Sequence, residues 1–292
     1  MNKYTLCPYY EDKCDIQKCF CIKYQAYKDV QNIAIVNQEL QELGISKNAD
    51  LWNKIYSIQK HFASRFFETS NPTKDDTDAW NKECLICIED ELEELFDYIY
   101  LFNDETAKLV SFNSLKKEVI DVLHFVMDTF ISGGITANQL MDLYLKIYNI
   151  LPTKSTEKLA VAFDYAKEQL AKRFNMLLIN YENDFKLKEN DIRVLDYLTI
   201  KWNIDKSTAN SILERLALDL LFMNREIREC ISWKHWKKPN QSIDYEKLYN
   251  KYVKMFFRFL SLSAFIFDNV EDMVQAYIVK NAENIRRQKL GY

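Results

Sequence analysis

Glycine and proline are scarce in this chain, with four of each among 292 residues. These two residues supply most tight turns, and they interrupt helices when they fall inside them. Their scarcity argues against a sandwich, a barrel or a doubly wound sheet. Apolar residues recur at three-and-four spacing over 30–43 and 51–67, which is the period of a helix. The sequence therefore predicts an all-α helical bundle.

Composition excludes some functions. The net charge is −4, so there is no global electrostatic attraction to nucleic acid. No run of about 18 apolar residues is present, as a membrane-spanning helix would need. The N-terminus lacks the apolar core of a signal peptide. We expect a cytoplasmic protein with no membrane or nucleic-acid partner, and seven reduced cysteines.

Composition and polar breaks divide the chain into a cysteine-rich N-terminal segment, residues 1–30, and one helical domain, residues 31–292. Within the domain we expect a half that holds acidic motifs over 31–152, a connecting helix over 153–189 and a half that holds basic motifs over 190–292. The N-terminal segment contains four closely spaced cysteines, namely Cys7, Cys14, Cys19 and Cys21. Their spacing fits no common zinc pattern, so a metal or cluster and simple reduced thiols both stay open.

The second half of the domain repeats the order of the first. The segment "EVIDVLHF" (118–125) aligns with "KYVKMFFR" (251–258), and the helices before them also correspond. In this alignment Glu118 falls on Lys251 and Asp121 falls on Lys254. We expect a bundle built from two diverged halves.

Two pairs of carboxylates lie inside apolar helical segments. Glu91 and Glu94 are three residues apart, as are Glu118 and Asp121, so each pair shares a helix face. Four carboxylates in one apolar pocket would repel one another and lose hydration. A hard divalent cation such as Mg²⁺ compensates for both effects. The alternative is a solvated acidic face.

Other chemistry-bearing residues near these pairs have simpler interpretations. We expect Glu89, Asp90 and Glu93 to face solvent, although a different helix phase would turn Asp90 inward. His124 is expected to be a structural hydrogen-bonding residue. Two cysteines, Cys84 and Cys87, form a CxxC in an apolar helix, which favours core packing over zinc.

Three motifs carry a family resemblance. The ExxE and ExxD pairs on two helices resemble the all-α NTP pyrophosphatase superfamily, which includes MazG-like and dimeric dUTPase enzymes. "EVIDVLHF" is similar to the dimeric dUTPase segment E-x-x-D-x-x-H-F, and "SWKHWKK" (232–238) to its W-K-x-W-K segment. The C-terminus "YIVKNAENIRRQKLGY" resembles K-N-x-x-N-x-x-R-Q-x-x-G-Y. Here the acids stand in the first half and the basic motifs in the second, which predicts one composite site per chain.

The C-terminal motif places amide and basic side chains on one helical stripe. The residues at i, i+1, i+4, i+7 and i+8 are Lys280, Asn281, Asn284, Arg287 and Gln288. Arginine grips phosphate bidentately and lysine supplies a point charge, so the stripe suits a triphosphate. The alternative is a solvated basic turn favoured by the helix dipole.

Further substrate contacts come from the tryptophan-rich segment and from the first helix. Lys234 and Lys237 share a face and are candidates for phosphate binding, whereas the neighbouring tryptophans could equally pack the bundle. Gln59 matches a glutamine that the family uses near the substrate. Phe62 stands where the family has an asparagine.

The resemblance implies an activity, a cofactor and an assembly. The activity is Mg²⁺-dependent hydrolysis of a deoxyribonucleoside triphosphate, with dUTP converted to dUMP and pyrophosphate by a homodimer. The four acids would hold the metal, and Glu91 or Glu94 would orient the attacking water. Lys280, Asn281, Arg287 and Lys234 would neutralise the phosphates. Two alternatives remain: a pyrophosphatase for another nucleotide such as dCTP, and a non-enzymatic nucleotide-binding regulator on the same scaffold.

Overall fold

The computed structural model describes residues 38, 41, 50–64, 74–101, 112–151, 157–176, 194–231 and 242–289. These ranges contain helices and no strand, which confirms the all-α prediction. The cysteines at 7, 14, 19 and 21 and the segment 232–241 lie outside them. The helices are α1 Leu51–Ser64, α2 Lys74–Leu101, α3 Phe112–Ser132, α4 Ala137–Ile147, α5 Lys158–Phe174, α6 Val194–Trp202, α7 Lys206–Cys230, α8 Tyr245–Ile266 and α9 Val270–Lys289.

The chain divides into two compact units. One is Ala49–Ala276, and the other comprises Met1–Asn48 and Tyr277–Tyr292, so the division falls within α9. The acidic motifs belong to the first unit and the C-terminal motif to the second.

Two helical hairpins form the centre of the first unit. In the first hairpin α2 packs along α3, with Asn81 beside Ser132 at one end and Glu91 beside Glu118 at the other, so the two helices run antiparallel. In the second hairpin α7 packs along α8. The hairpins pack together through α2 with α7 and α3 with α8. The matching order is what a duplicated chain would show, and the duplication itself stays a prediction.

The core is built around the aromatic residues of α8. The ring of Phe256 lies 4.7 Å from that of Trp52 on α1, 6.1 Å from Phe130 on α3 and 5.9 Å from Tyr144 on α4. All four side chains are almost fully buried. Burying such a side chain contributes about 1.5–3 kcal/mol relative to leaving it exposed. This cluster therefore anchors α1, α3 and α4 on one helix.

Several helices end at an asparagine in the left-handed backbone conformation that glycine usually adopts. Asn149, Asn175 and Asn203 have φ of 53°, 52° and 49°, and they lie just beyond the C-terminal ends of α4, α5 and α6. A residue with positive φ often terminates a helix, and asparagine tolerates that conformation better than other side chains. A chain with few glycines can thus still end its helices sharply. Within 153–189, where we expect a connecting helix, the structure describes α5, which ends at Phe174 for this reason. Residues 153–156 and 177–189 of that span lie outside the described residues.

In the part of the chain that the structure describes, no single helix is long and apolar enough to cross a membrane. Residues 115–132 and 137–147 meet the length and composition requirement only together, as a pair bent by 101°.

Candidate metal site

Three of the four predicted acids come together. One carboxylate oxygen from each of Glu91, Glu118 and Asp121 lies within 4.8 Å of the other two. Glu91 is on α2, and the other two are on α3. All three side chains are half-buried. We call these three residues the acidic cluster.

The apolar interface of the first hairpin sets the position of the acidic cluster. On α2, Ile88, Leu92 and Leu95 are fully buried, and Glu91 lies beside them on the helix surface. On α3, Val119 and Ile120 are fully buried between the two acidic positions. The carboxylates consequently sit at the edge of an apolar contact, where hydration is reduced but not lost.

The other acids of α2 are placed differently. Glu94 is exposed and is not a member of the acidic cluster. Asp90 and Glu93 are exposed, as expected. Glu89 was expected to face solvent, but it is half-buried and forms an ion pair of 2.7 Å with Arg228 of α7. The pair forms because α7 packs against this side of α2.

His124 lies against the acidic cluster. Its Nδ1 is 3.7 Å from Oδ1 of Asp121, and the residue is 5% exposed. The ring is therefore part of the surroundings of the carboxylate, and the three-carboxylate group does not include it.

The acidic cluster fits a hard cation. All its donors are carboxylate oxygens, which Mg²⁺ and Ca²⁺ prefer. Oxygens that share one Mg²⁺ lie about 3–4 Å apart, because each bond is about 2.1 Å long. Separations of up to 4.8 Å close to that range with small side-chain movements. Three carboxylates leave further coordination positions for water or for substrate oxygens.

Gln59 is placed away from solvent. It is 0% exposed, and its Nε2 donates to Oδ1 of Asp128 over 2.8 Å. Burial raises the pKa of Asp128 to about 7, although the hydrogen bond from Gln59 opposes that rise. Sequence reasoning missed Asp128. The available signal was its position seven residues after Asp121, which is two helical turns along the same face of α3.

The C-terminal motif shows unequal exposure along its stripe. Asn281 is 0% exposed, and its Nδ2 donates to the Tyr277 hydroxyl over 3.3 Å. Arg287 is exposed and pairs with Glu283 at 2.9 Å. Lys280 and Asn284 are half-buried. Lys234, Lys237 and the side chain of Gln288 lie outside the described residues.

The lysines that align with the ExxD acids are positioned on α8. Lys251 forms an ion pair with Glu226 of α7, and Lys254 is exposed. The two cysteines of the CxxC are free thiols. Cys84 is buried, which raises the pKa of its thiol, and Cys87 is half-buried. The position of Cys84 agrees with the expectation of core packing.

No protein-family model, no curated protein and no solved structure matches the chain. The family resemblance is therefore carried by the residues of the motifs alone.

Proposed function

We propose that this chain is a divalent-cation-dependent pyrophosphohydrolase of a deoxyribonucleoside triphosphate. The proposed reaction is the hydrolysis of dUTP to dUMP and pyrophosphate, with Mg²⁺ as the cofactor and a homodimer as the assembly. The observation that supports it best is the acidic cluster, in which Glu91, Glu118 and Asp121 converge on one small volume. The motif resemblance supplies the substrate class.

In this proposal the acidic cluster holds the cation. The bound cation would neutralise the carboxylates and attract the triphosphate oxygens. Glu94 is exposed one helical turn from Glu91, so its carboxylate is free of the apolar interface and can accept a proton from an attacking water. Glu91 is the other candidate for this role.

The basic residues of the proposal act on the phosphates. The motif resemblance implies that Lys280 and Arg287, with Lys234, would neutralise phosphate charge, which grows on the leaving pyrophosphate. Asn281 is a neutral amide and is fully buried, so it could contact phosphate only after leaving the interior. Arg287 is exposed and pairs with Glu283. A phosphate group could take the place of the Glu283 carboxylate as the anionic partner of Arg287. Gln59 could contact substrate only if its hydrogen bond to Asp128 broke, since it is fully buried.

The experiment is a panel of the four common deoxyribonucleoside triphosphates and dUTP, assayed for pyrophosphate release with and without Mg²⁺. We expect Mg²⁺-dependent release that is fastest with dUTP. Preference for dCTP would identify the alternative substrate and keep the site. If no nucleotide is hydrolysed in the presence of Mg²⁺, the regulator alternative replaces the proposal.

Two variants connect the activity with the acidic cluster. Glu118→Ala removes one cluster carboxylate and should lower kcat by more than about 100-fold, since even groups that only support metal ligands contribute 10–100-fold. Glu93→Ala is the matched control, because Glu93 is an exposed acid on α2 outside the cluster. Equal loss of activity in both variants would contradict the assignment.

A further inference from the structure

A second candidate site lies at the other end of the α2–α3 hairpin. A pocket of about 310 Å³ is formed by the start of α2, the end of α3 and the start of α8. This volume is at the lower end of the range for small-molecule sites. Asn81 in the pocket and Glu91 in the acidic cluster are ten residues apart on α2, which corresponds to about 15 Å along the helix. The pocket is therefore separate from the acidic cluster.

A buried amide in this pocket has an acceptor to spare. Asn81 is 4% exposed, and its Nδ2 lies 2.9 Å from the carbonyl oxygen of Thr129 and 2.9 Å from Oγ of Ser132. The carbonyl can only accept, which fixes Nδ2 on that side and Oδ1 on the other. Oδ1 is buried and has no hydrogen-bond partner within the described ranges. Such an atom costs free energy unless a ligand or water serves it.

A tyrosine hydroxyl stands next to the same amide group. The Tyr252 oxygen lies 3.1 Å from Nδ2 of Asn81 and accepts from it, and the residue is 0% exposed. No acceptor for the hydroxyl proton of Tyr252 is found among the residues that the structure describes. Gly133 permits this approach, because a Cβ there would lie 2.2 Å from the tyrosine oxygen. Two residues of the pocket lining thus carry a polar group without a partner among the described residues, namely Oδ1 of Asn81 and the hydroxyl proton of Tyr252.

The rest of the pocket favours a flat, neutral ligand. The Tyr249 ring lies 6.2 Å from that of Tyr252 at an interplanar angle of 28°, and the buried side chain of Leu248 adds apolar surface. Aromatic walls favour planar rings. Among the described lining residues, one acid and one base, Asp78 and Lys82, bring opposite charges.

We propose that this pocket binds a neutral planar heterocycle with an N–H beside a carbonyl oxygen or ring nitrogen, as in a lactam or a cyclic amidine. The N–H donates to Oδ1 of Asn81, and the neighbouring acceptor receives the hydroxyl proton of Tyr252. The site needs no divalent cation, and it does not rest on the proposed pyrophosphohydrolase function.

The test uses 2-pyridone as the probe and 1-methyl-2-pyridone as its matched control, which lacks the N–H. Saturation-transfer NMR titrations of the full chain are run in EDTA. We expect 2-pyridone to bind and the methylated compound to bind at least about 10-fold more weakly, because it leaves Oδ1 unserved. Failure of 2-pyridone to bind, or equal binding of both compounds, would overturn the proposal and leave Oδ1 to an ordered water.

Variants then locate the binding. Asn81→Ala should weaken 2-pyridone binding about 10-fold or more. Tyr252→Phe keeps the ring and should weaken it about 3- to 10-fold, which preserves the test if Asn81→Ala does not fold. Tyr165→Phe is the control, since this half-buried tyrosine lies outside the pocket. Unchanged binding in folded Asn81→Ala or in Tyr252→Phe, or loss of binding in Glu118→Ala, would contradict the assignment to this pocket.

Discussion

Nε2 of Gln59 donates to Oδ1 of Asp128 over 2.8 Å in the interior of the first unit, where the two residues are 0% and 2% exposed. No basic side chain pairs with Asp128 within the described parts of the chain. The hydrogen-bond partner of this buried acid is therefore a neutral amide. Burial raises the pKa of Asp128 to about 7, so the acid keeps its proton up to about that pH.

This relationship predicts a pH dependence of stability. The unfolded Asp128 loses its proton near pH 3.8, whereas the folded one keeps it to about pH 7. Between these values the folded state binds more protons, so the free energy of unfolding should fall as pH rises, by up to about 4 kcal/mol. Asp128→Asn should remove this fall. Urea unfolding of both proteins at pH 4.5, 5.5, 6.5 and 7.5 measures it.

Asp90→Asn is the control for that series, because Asp90 is exposed on α2. Its free energy of unfolding should follow the wild-type curve. If wild type and Asp128→Asn differ by the same amount at every pH, the buried acid does not titrate in the folded state as described.

A small residue is required at position 133. A Cβ on Gly133 would lie 2.2, 2.6 and 2.7 Å from three atoms of the buried Tyr252 side chain. Gly133→Ala should therefore destabilise the protein by about 1–3 kcal/mol through overpacking. Thermal unfolding measures the loss. Tyr252→Phe removes the nearest of these atoms. The double variant should therefore lose less free energy of unfolding than the two single variants lose in sum. Strict additivity would show that the two positions do not interact.

The asparagines with positive φ predict a graded response to substitution. Asn175 is exposed and has φ of 52°, and its backbone N–H bonds the carbonyls of Ala171 and Lys172. Asn175→Gly should be nearly neutral, whereas Asn175→Ala should lower the free energy of unfolding by about 1 kcal/mol. Chemical denaturation of the pair checks this, and equal values for glycine and alanine would contradict a role for the left-handed conformation.

The sequence predicted those members of the acidic cluster that local helix spacing determines, and it left open what depends on packing between helices. Glu118 and Asp121 follow from local spacing, since a helix places i and i+3 on one face whatever surrounds it. Glu91 and Glu94 differ by about 60° around α2, and the sequence does not show which of them turns toward α3. The buried side chains of α2, among them Ile88, mark the face of the helix that packs in the interior. Glu91 lies nearer to that face than Glu94 does, and Glu91 is the one in the cluster.

The periodic apolar pattern predicted the helices, because a helix needs only one repeated face to pack. Other features depended on tertiary contacts, which spacing along the sequence does not reveal. Glu89 pairs with Arg228, which lies far along the chain on α7. Asp128 lies two helical turns after Asp121 on the same face of α3, a spacing that points to the acid but not to its partner. Its partner Gln59 comes from α1, and no periodicity connects the two.

We propose that Glu91, Glu118 and Asp121 share one divalent cation. Titration of the protein with Mn²⁺, followed by electron paramagnetic resonance, tests it without relying on activity, because Mn²⁺ accepts the same oxygen ligands as Mg²⁺. We predict saturable binding of Mn²⁺ that Mg²⁺ competes away. Glu118→Gln and Glu91→Gln should each weaken Mn²⁺ binding more than about 10-fold. Glu93→Gln should bind Mn²⁺ as tightly as the wild type. No saturable binding, or equal weakening by Glu93→Gln, would show that these three carboxylates do not share a cation.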